Sequence, residues 1–167
     1  MDKYIKGLKS LPLNGEQMMK LVDGKANLIK INDLVNYTNI DDVLGEHEAV
    51  ILLYENKKNS GHWVTLYKVG KTTLYFFDPY GLDVDEQLRF GKYSQPYLGE
   101  LINKSGYRLI HNKVDLQKYC KSVATCGKFV SFRLIFRNLP DKKFISLFLD
   151  NKCYDPDFWI TVLCAFL

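Results

Sequence analysis

Apolar and polar positions recur along this chain with two different periods, and the change of period marks its elements. In LPLNGEQMMKLVDG (11–24) the pattern predicts a short helix. Asn14 supplies its cap, Gln17 falls at the third helical position of a capping box, Leu13 and Met18 form a hydrophobic staple, and Gly24 ends it. NLIKINDL reads as extended and then turning, and NIDDVLG as one or two helical turns. AVILLYE (49–55) is a continuous apolar run of strand length, which suits a buried strand. WVTLYKV and TTLYFFD are β-rich runs joined at Gly70, the pattern of a hairpin with glycine in its turn. SQPYLGELINKSG predicts a helix with Pro96 in its first turn and Gly106 beyond its end, and YRLIHNK returns to strand. Residues 126–138 read as a helix that is apolar nearly all round, and therefore internal. DKKFISLFLD predicts a further helix, capped by Asp141, while the apolar tail from Phe158 fits helix or strand equally.

This order of elements predicts an α+β fold: a small, mainly antiparallel sheet flanked by helices, with one central buried helix. With 167 residues and no linker or repeat, one domain spanning 1–167 is expected. The apolar share of 47% against 25% charged residues excludes a disordered chain. A net charge of +4 is spread over scattered lysines, which permits contact with a polyanion but builds no basic stripe for sequence-specific nucleic-acid binding. MDKYIKGLKS lacks the apolar core of a secretory signal, and the tail FWITVLCAFL is shorter than the roughly 20 residues a membrane span needs. The four cysteines, Cys120, Cys126, Cys153 and Cys164, show neither a disulfide framework nor zinc-ligand spacing, so a reducing compartment and no metal are expected.

The hairpin carries the first candidate chemistry. A loop of Val69, Gly70 and Lys71 sets Val64 against Phe76 and Leu66 against Leu74, and the same alternation carries on to His62 and Asp78. A carboxylate beside an imidazole fixes its tautomer and stabilises its charged form, which is what a general base requires. A slip of one residue would bring Trp63 to Asp78 instead. The second candidate is Cys126. Thr125 in the capping position puts it in the first turn of the internal helix, where free N–H groups and the dipole favour a thiolate over the free thiol pKa of about 8.5. Gly127 leaves space and an N–H beside the sulfur for a substrate backbone. Nucleophile, base and orienter are then all present, although a buried cysteine and a structural His–Asp contact would account for the same residues. His47 lies among acids, His111 ends a strand, and Asp83 and Asp85 fall past Gly81, outside the paired strands. Cys120, Cys153 and Cys164 lack the helix-entry context.

GHWVTLYK (61–68), FFDPYG (76–81) and TCGKF (125–129), in this order, resemble the adenovirus-type (adenain-like) cysteine proteases. That fold group also holds the SUMO-deconjugating proteases. The likeness is nearest to the maturation proteases of virophages, Polinton-type elements and large DNA viruses, and it spans roughly residues 11–150. It implies a viral thiol protease that cleaves capsid or other virion precursors in an extended, glycine-rich site, with His62 as base, Asp78 as orienter and Cys126 as nucleophile. It further implies that Gln117 contributes an oxyanion donor together with the Cys126 N–H, although nine residues separate the two, more than in the best-known members. Trp63 and Gly127 would border the substrate. No cofactor is implied. A peptide or nucleic-acid activator, a monomer, no membrane, and a place in the virion or at the assembly site in the host cytoplasm or nucleus are the accompanying expectations. Removal of a ubiquitin-like modifier, acetyl transfer on the same fold, and a non-catalytic scaffold or polyanion-binding module are the competing readings.

Overall fold

The two faces of one β-sheet explain why AVILLYE carries no polar alternation. In the computed structural model, which describes residues 2–58, 60–91, 95–150 and 152–166, five strands lie in the order β1 to β5. They are β1 (Asn27–Lys30), β2 (Ala49–Lys57), β3 (Ser60–Val69), β4 (Thr73–Phe77) and β5 (Arg108–His111). β2, β3 and β4 pair antiparallel, and the outer strands β1 and β5 run parallel to their neighbours, so the sheet is mixed. Odd-numbered side chains, Ile51, Leu53, Trp63, Tyr67, Tyr75 and Phe77, enter one core. Even-numbered ones, Val50, Leu52, Val64, Leu66, Leu74 and Phe76, enter a second core on the opposite face. A strand covered on both sides reads as continuously apolar.

Helices fill both layers. On the first face lie α2 (Gly15–Leu21), α5 (Cys126–Ile135), α6 (Asp141–Leu149) and α7 (Pro156–Cys164); on the second lie α3 (Ile40–Leu44), α4 (Tyr97–Ser105) and a 3-10 helix over Ile31–Asn36. α1 (Asp2–Lys9), for which the hydrophobic pattern gave no indication, packs on α7. The capping box of α2 forms as expected, Asn14 accepting from the Gln17 N–H and the Gln17 side chain accepting from the Asn14 N–H, both at 2.9 Å. Every residue of α5 from Cys126 to Leu134 is buried, and the helix packs across β3. Each large apolar side chain so removed from water, Phe129 and Val130 among them, contributes about 1.5–3 kcal/mol.

Several local expectations change. Val69 pairs with Thr73, so the hairpin loop is Gly70, Lys71 and Thr72, and Leu66 faces Phe76 rather than Leu74. Gly70 takes φ +66°, the left-handed conformation the turn requires. The slip is two residues, and a period of two leaves every side chain on its expected face. α5 ends at Ile135, short of 138, because the Arg133 guanidinium donates to the carbonyls of Phe136 and Leu139 at 2.9 and 3.1 Å and holds that segment in turns. Pro140, not Asp141, occupies the cap of α6; the Asp141 carboxylate instead accepts the Tyr75 hydroxyl. The tail settles as helix, with Asp155 accepting from the Phe158 N–H at 2.7 Å and Pro156 in the first turn. Ser94, at the head of the segment before α4, lies outside the described residues.

The amino-terminal segment is clipped to α5 by a buried lysine. Lys128 donates to the carbonyls of Leu8 and Leu11 at 3.0 and 2.7 Å, and burial pushes its ammonium pKa down. Alongside it, the Ala124 N–H donates to the Lys9 carbonyl at 2.8 Å, and Lys9 forms an ion pair with Asp155. Lys128→Met keeps the stem but strands two carbonyls, at a cost of about 1–3 kcal/mol. Thermal denaturation should show a lower midpoint, and hydrogen exchange should show faster opening of residues 2–12; unchanged exchange there would mean that the clip does not hold the segment.

Candidate active site

His62 lies near the start of β3, Asp78 directly follows β4, and Cys126 opens α5. These three sequence positions converge at one end of the sheet. His62 Nε2 and Asp78 Oδ1 are 2.8 Å apart, with the side chains 6% and 1% exposed. The ring's other nitrogen, Nδ1, is the one left for the Cys126 thiol, which is 6% exposed and close enough for the two groups to shift each other's pKa. The contact between His62 and Asp78 is therefore as expected, although the register that produces it is not the one inferred.

Burial by itself pushes the imidazole towards its neutral form. The charge of Asp78 and its hydrogen bond, followed by the Cys126 sulfur, reverse this and raise His62 to about 10. Burial likewise pushes the thiol up, but the hydrogen bond and charge of His62, with the backbone N–H groups of Trp63 and Gly127, bring it below its ordinary value. The two shifts, downward for the thiol and upward for the imidazole, favour the thiolate–imidazolium form, in which each charge stabilises the other.

Residues that the sequence reading did not single out set this geometry. Asn112, fully buried, brackets Asp78: its Oδ1 accepts from the Asp78 N–H at 2.9 Å and its Nδ2 donates to the Asp78 carbonyl at 2.6 Å. The Tyr80 N–H donates to Asp78 Oδ1 at 2.7 Å, and the Tyr80 ring stacks on His62 with centroids 4.4 Å apart. Asp78 Oδ2 is buried with no hydrogen-bond partner among the described residues. The Asp78 charge, after burial, also helps push the Asp115 carboxyl up. The signal for Asn112 was only an Asn after an apolar strand, which carries no chemistry until its partner is known.

Gln117 does reach the site. It is 2% exposed, lines the same cleft of about 550 Å³ as His62 and Cys126, and its Oε1 is buried without a partner among the described residues. The loop that carries it hangs from two anchors. Leu116 and Gln117 donate their N–H groups to the Pro79 carbonyl at 2.9 and 3.0 Å, and the Lys118 N–H donates to Asp157 at 2.9 Å. Thr125 stands at the cap of α5, but its hydroxyl is turned away from the helix N–H groups and donates to the same buried Asp157.

Trp63 and Gly127 occupy the core side of the site. Trp63 is buried and does not line the cleft, and a Cβ on Gly127 would meet Met18 Sδ at 3.1 Å, Leu13 Cβ at 3.2 Å and Trp63 Cδ1 at 3.4 Å. Glycine at 127 therefore lets α5 approach α2 and Trp63, rather than opening space for substrate, and what both residues offer the sulfur is a backbone N–H. His111 pairs with Asp83 at 3.0 Å, and Asp85 accepts from the Gly99 N–H at 2.7 Å and the Tyr54 hydroxyl at 3.1 Å; none of these three lines the cleft. His47 is half-buried beside the exposed Glu46. Among the described residues no cluster of three or more His, Cys, Asp or Glu side chains is placed to hold a metal, and no helix is long and apolar enough to cross a membrane.

Cys120 is a second thiol at the site. It is exposed in the same cleft, and its hydrogen bond with Ser122 at 3.1 Å lowers its pKa as well. Both cysteines should react with iodoacetamide near neutral pH. In His62→Ala only Cys126 should slow, by about tenfold, read by mass spectrometry of the two modified peptides. An unchanged Cys126 rate would show that its thiolate owes nothing to the imidazole.

The chain matches no family model. It is 31% identical to uncharacterized protein V9 of Sputnik virophage over 173 residues, covering 96% of this chain and 98% of that protein. The crystal structure of the ASFV pS273R protease superposes with a TM-score of 0.52 at 12% identity, over 93% of this chain and 68% of that one, which shows a shared fold. The central domain of the uncharacterized Lpg1148 protein from Legionella pneumophila aligns with a TM-score of 0.45 at 16% identity, over 92% of this chain and 94% of that one. With near-complete coverage on both sides at 31% identity, the chain belongs to the same family as the Sputnik virophage protein V9.

Proposed function

We propose that this protein is a viral cysteine endopeptidase that cleaves structural precursors during particle maturation. One observation carries the reading: a buried carboxylate hydrogen-bonded to an imidazole that a buried thiol neighbours, with the thiol pKa lowered and the imidazole raised to about 10, at the wall of a cleft. A structural His–Asp pair has no need of a thiolate. The fold shared with a viral protease supports the same reading.

In this mechanism Cys126 Sγ attacks the scissile carbonyl and forms the carbon–sulfur bond. The developing oxyanion is received by the Gln117 amide and the Cys126 N–H. The C–N bond then breaks as His62 Nδ1 gives its proton to the departing amine. Water, deprotonated by the now neutral His62, attacks the thioester and releases the acid and the thiol. Asp78 keeps the ring aligned throughout.

The test is to incubate the protein with capsid proteins encoded by the same genome and to map new termini by mass spectrometry. Cys126→Ala should yield none. Cleavage that survives Cys126→Ala, or that is seen on a ubiquitin-like conjugate but on no capsid protein, would reject the reading. Loss of one oxyanion donor costs about 10²–10³ in other hydrolases, so Gln117→Ala should lower kcat by roughly that factor with little change in KM.

The pH profile has a sign set by Asp78. His62 must be protonated to release the amine, so kcat/KM should fall as pH rises through about 10. Asp78→Asn removes the charge that raises the imidazole, and the alkaline limb should move to lower pH with a reduced plateau. An unmoved limb would show that another group controls it.

A further inference from the structure

A row of aromatic rings begins on the base and runs outward along the cleft. Tyr80 stacks on His62 at 4.4 Å, Tyr119 meets Tyr80 edge-on at 5.4 Å, and Phe90 lies 6.2 Å from Tyr119. Tyr80, Tyr119, Phe90 and Leu88 all line the cleft that contains Cys126. The inner ring is half-buried, whereas Tyr119 and Phe90 are 72% and 50% exposed. Large exposed aromatic surface continuous with a reactive cleft is a recognition feature.

The chemistry assigns a direction to this row. His62 passes its proton to the amine of the leaving half, so that half must depart past the imidazole, and the rings beyond His62 lie along its path. We propose that Tyr119 and Phe90 form a subsite for a large apolar side chain in the leaving half of the substrate. A rise of about 3.3 Å per extended residue places it roughly at the second to fourth residue after the cut. The inference rests on the peptidase reading above.

Charge and rigidity favour this occupant. The Arg89 guanidinium already covers one face of Phe90 at 4.7 Å, which disfavours a second cation there. Tyr119 is held close behind two anchored amides, Gln117 on the Pro79 carbonyl and Lys118 on Asp157, so its ring needs little ordering when substrate arrives. A rigid aromatic surface of low conformational cost selects for apolar contact rather than for a particular hydrogen bond.

The probe is a peptide library made by digesting a whole proteome, with new amino termini sequenced after cleavage. Wild type should enrich large apolar residues two to four positions past the cut, and Tyr119→Ser with Phe90→Ser should lose that enrichment. On one well-cleaved library peptide the double variant should lose about tenfold or more in kcat/KM, the scale set by one apolar side chain in a pocket. A peptidyl coumarylamide with the same amino-terminal half should change less than twofold, and Tyr119→Leu should restore part of the loss. Apolar enrichment that is absent in wild type, or equal losses on both substrates, would overturn the subsite. If wild type cleaves no peptide at all, the peptidase reading fails and the subsite with it.

Discussion

Three ionisable groups held almost out of water govern how this molecule is built. Cys126, His62 and Asp78 are each nearly inaccessible, and burial opposes the charged form of every one of them. Each charged form has a partner that offsets this cost: thiolate against imidazolium, imidazolium against carboxylate, and carboxylate against the backbone N–H of Tyr80. Such a series tolerates little displacement, since an uncompensated buried charge is far costlier than a lost surface contact.

The scaffold meets that constraint through the backbone. β3 presents His62, the end of β4 presents Asp78, and α5, buried along its length, presents Cys126 across the same sheet. Asn112 forms hydrogen bonds to the Asp78 N–H and carbonyl much as a neighbouring strand would, extending the order of the sheet just beyond β4. Asp157 on α7 then fixes the loop before α5 by accepting from Lys118 and Thr125. Cys126 is thus positioned by elements far apart in the chain, and the helices of the first face support it as well as forming the core.

Opposite sides of the site show different economies of space. On the core side, Gly127, Trp63, Met18 and Leu13 are in close contact, which keeps the entry to α5 fixed. On the solvent side, the rings of Tyr119 and Phe90 remain exposed. Rigid support thus lies behind the Cys126 sulfur, and open apolar surface lies ahead of it.

Local rules were sufficient for part of this in the sequence alone. The capping box of α2 spans the four residues from Asn14 to Gln17, the β-rich runs around Gly70 pair as a hairpin, and a cysteine before an apolar helical run sits at a helix entry. The His62–Asp78 contact was legible for the same reason: a two-residue slip in the turn leaves every side chain on its face, so an incorrect register still brought the right residues near each other. Tertiary structure decided what depends on partners distant in the chain. Lys128 reads as a surface charge until the carbonyls of Leu8 and Leu11 are seen around it, and Thr125 reads as a helix cap until Asp157 arrives from α7. The parallel outer strands, the bracket made by Asn112 and the packing role of Gly127 belong with these. A pattern with a period fixes which way a side chain faces; only the folded chain fixes what it meets there.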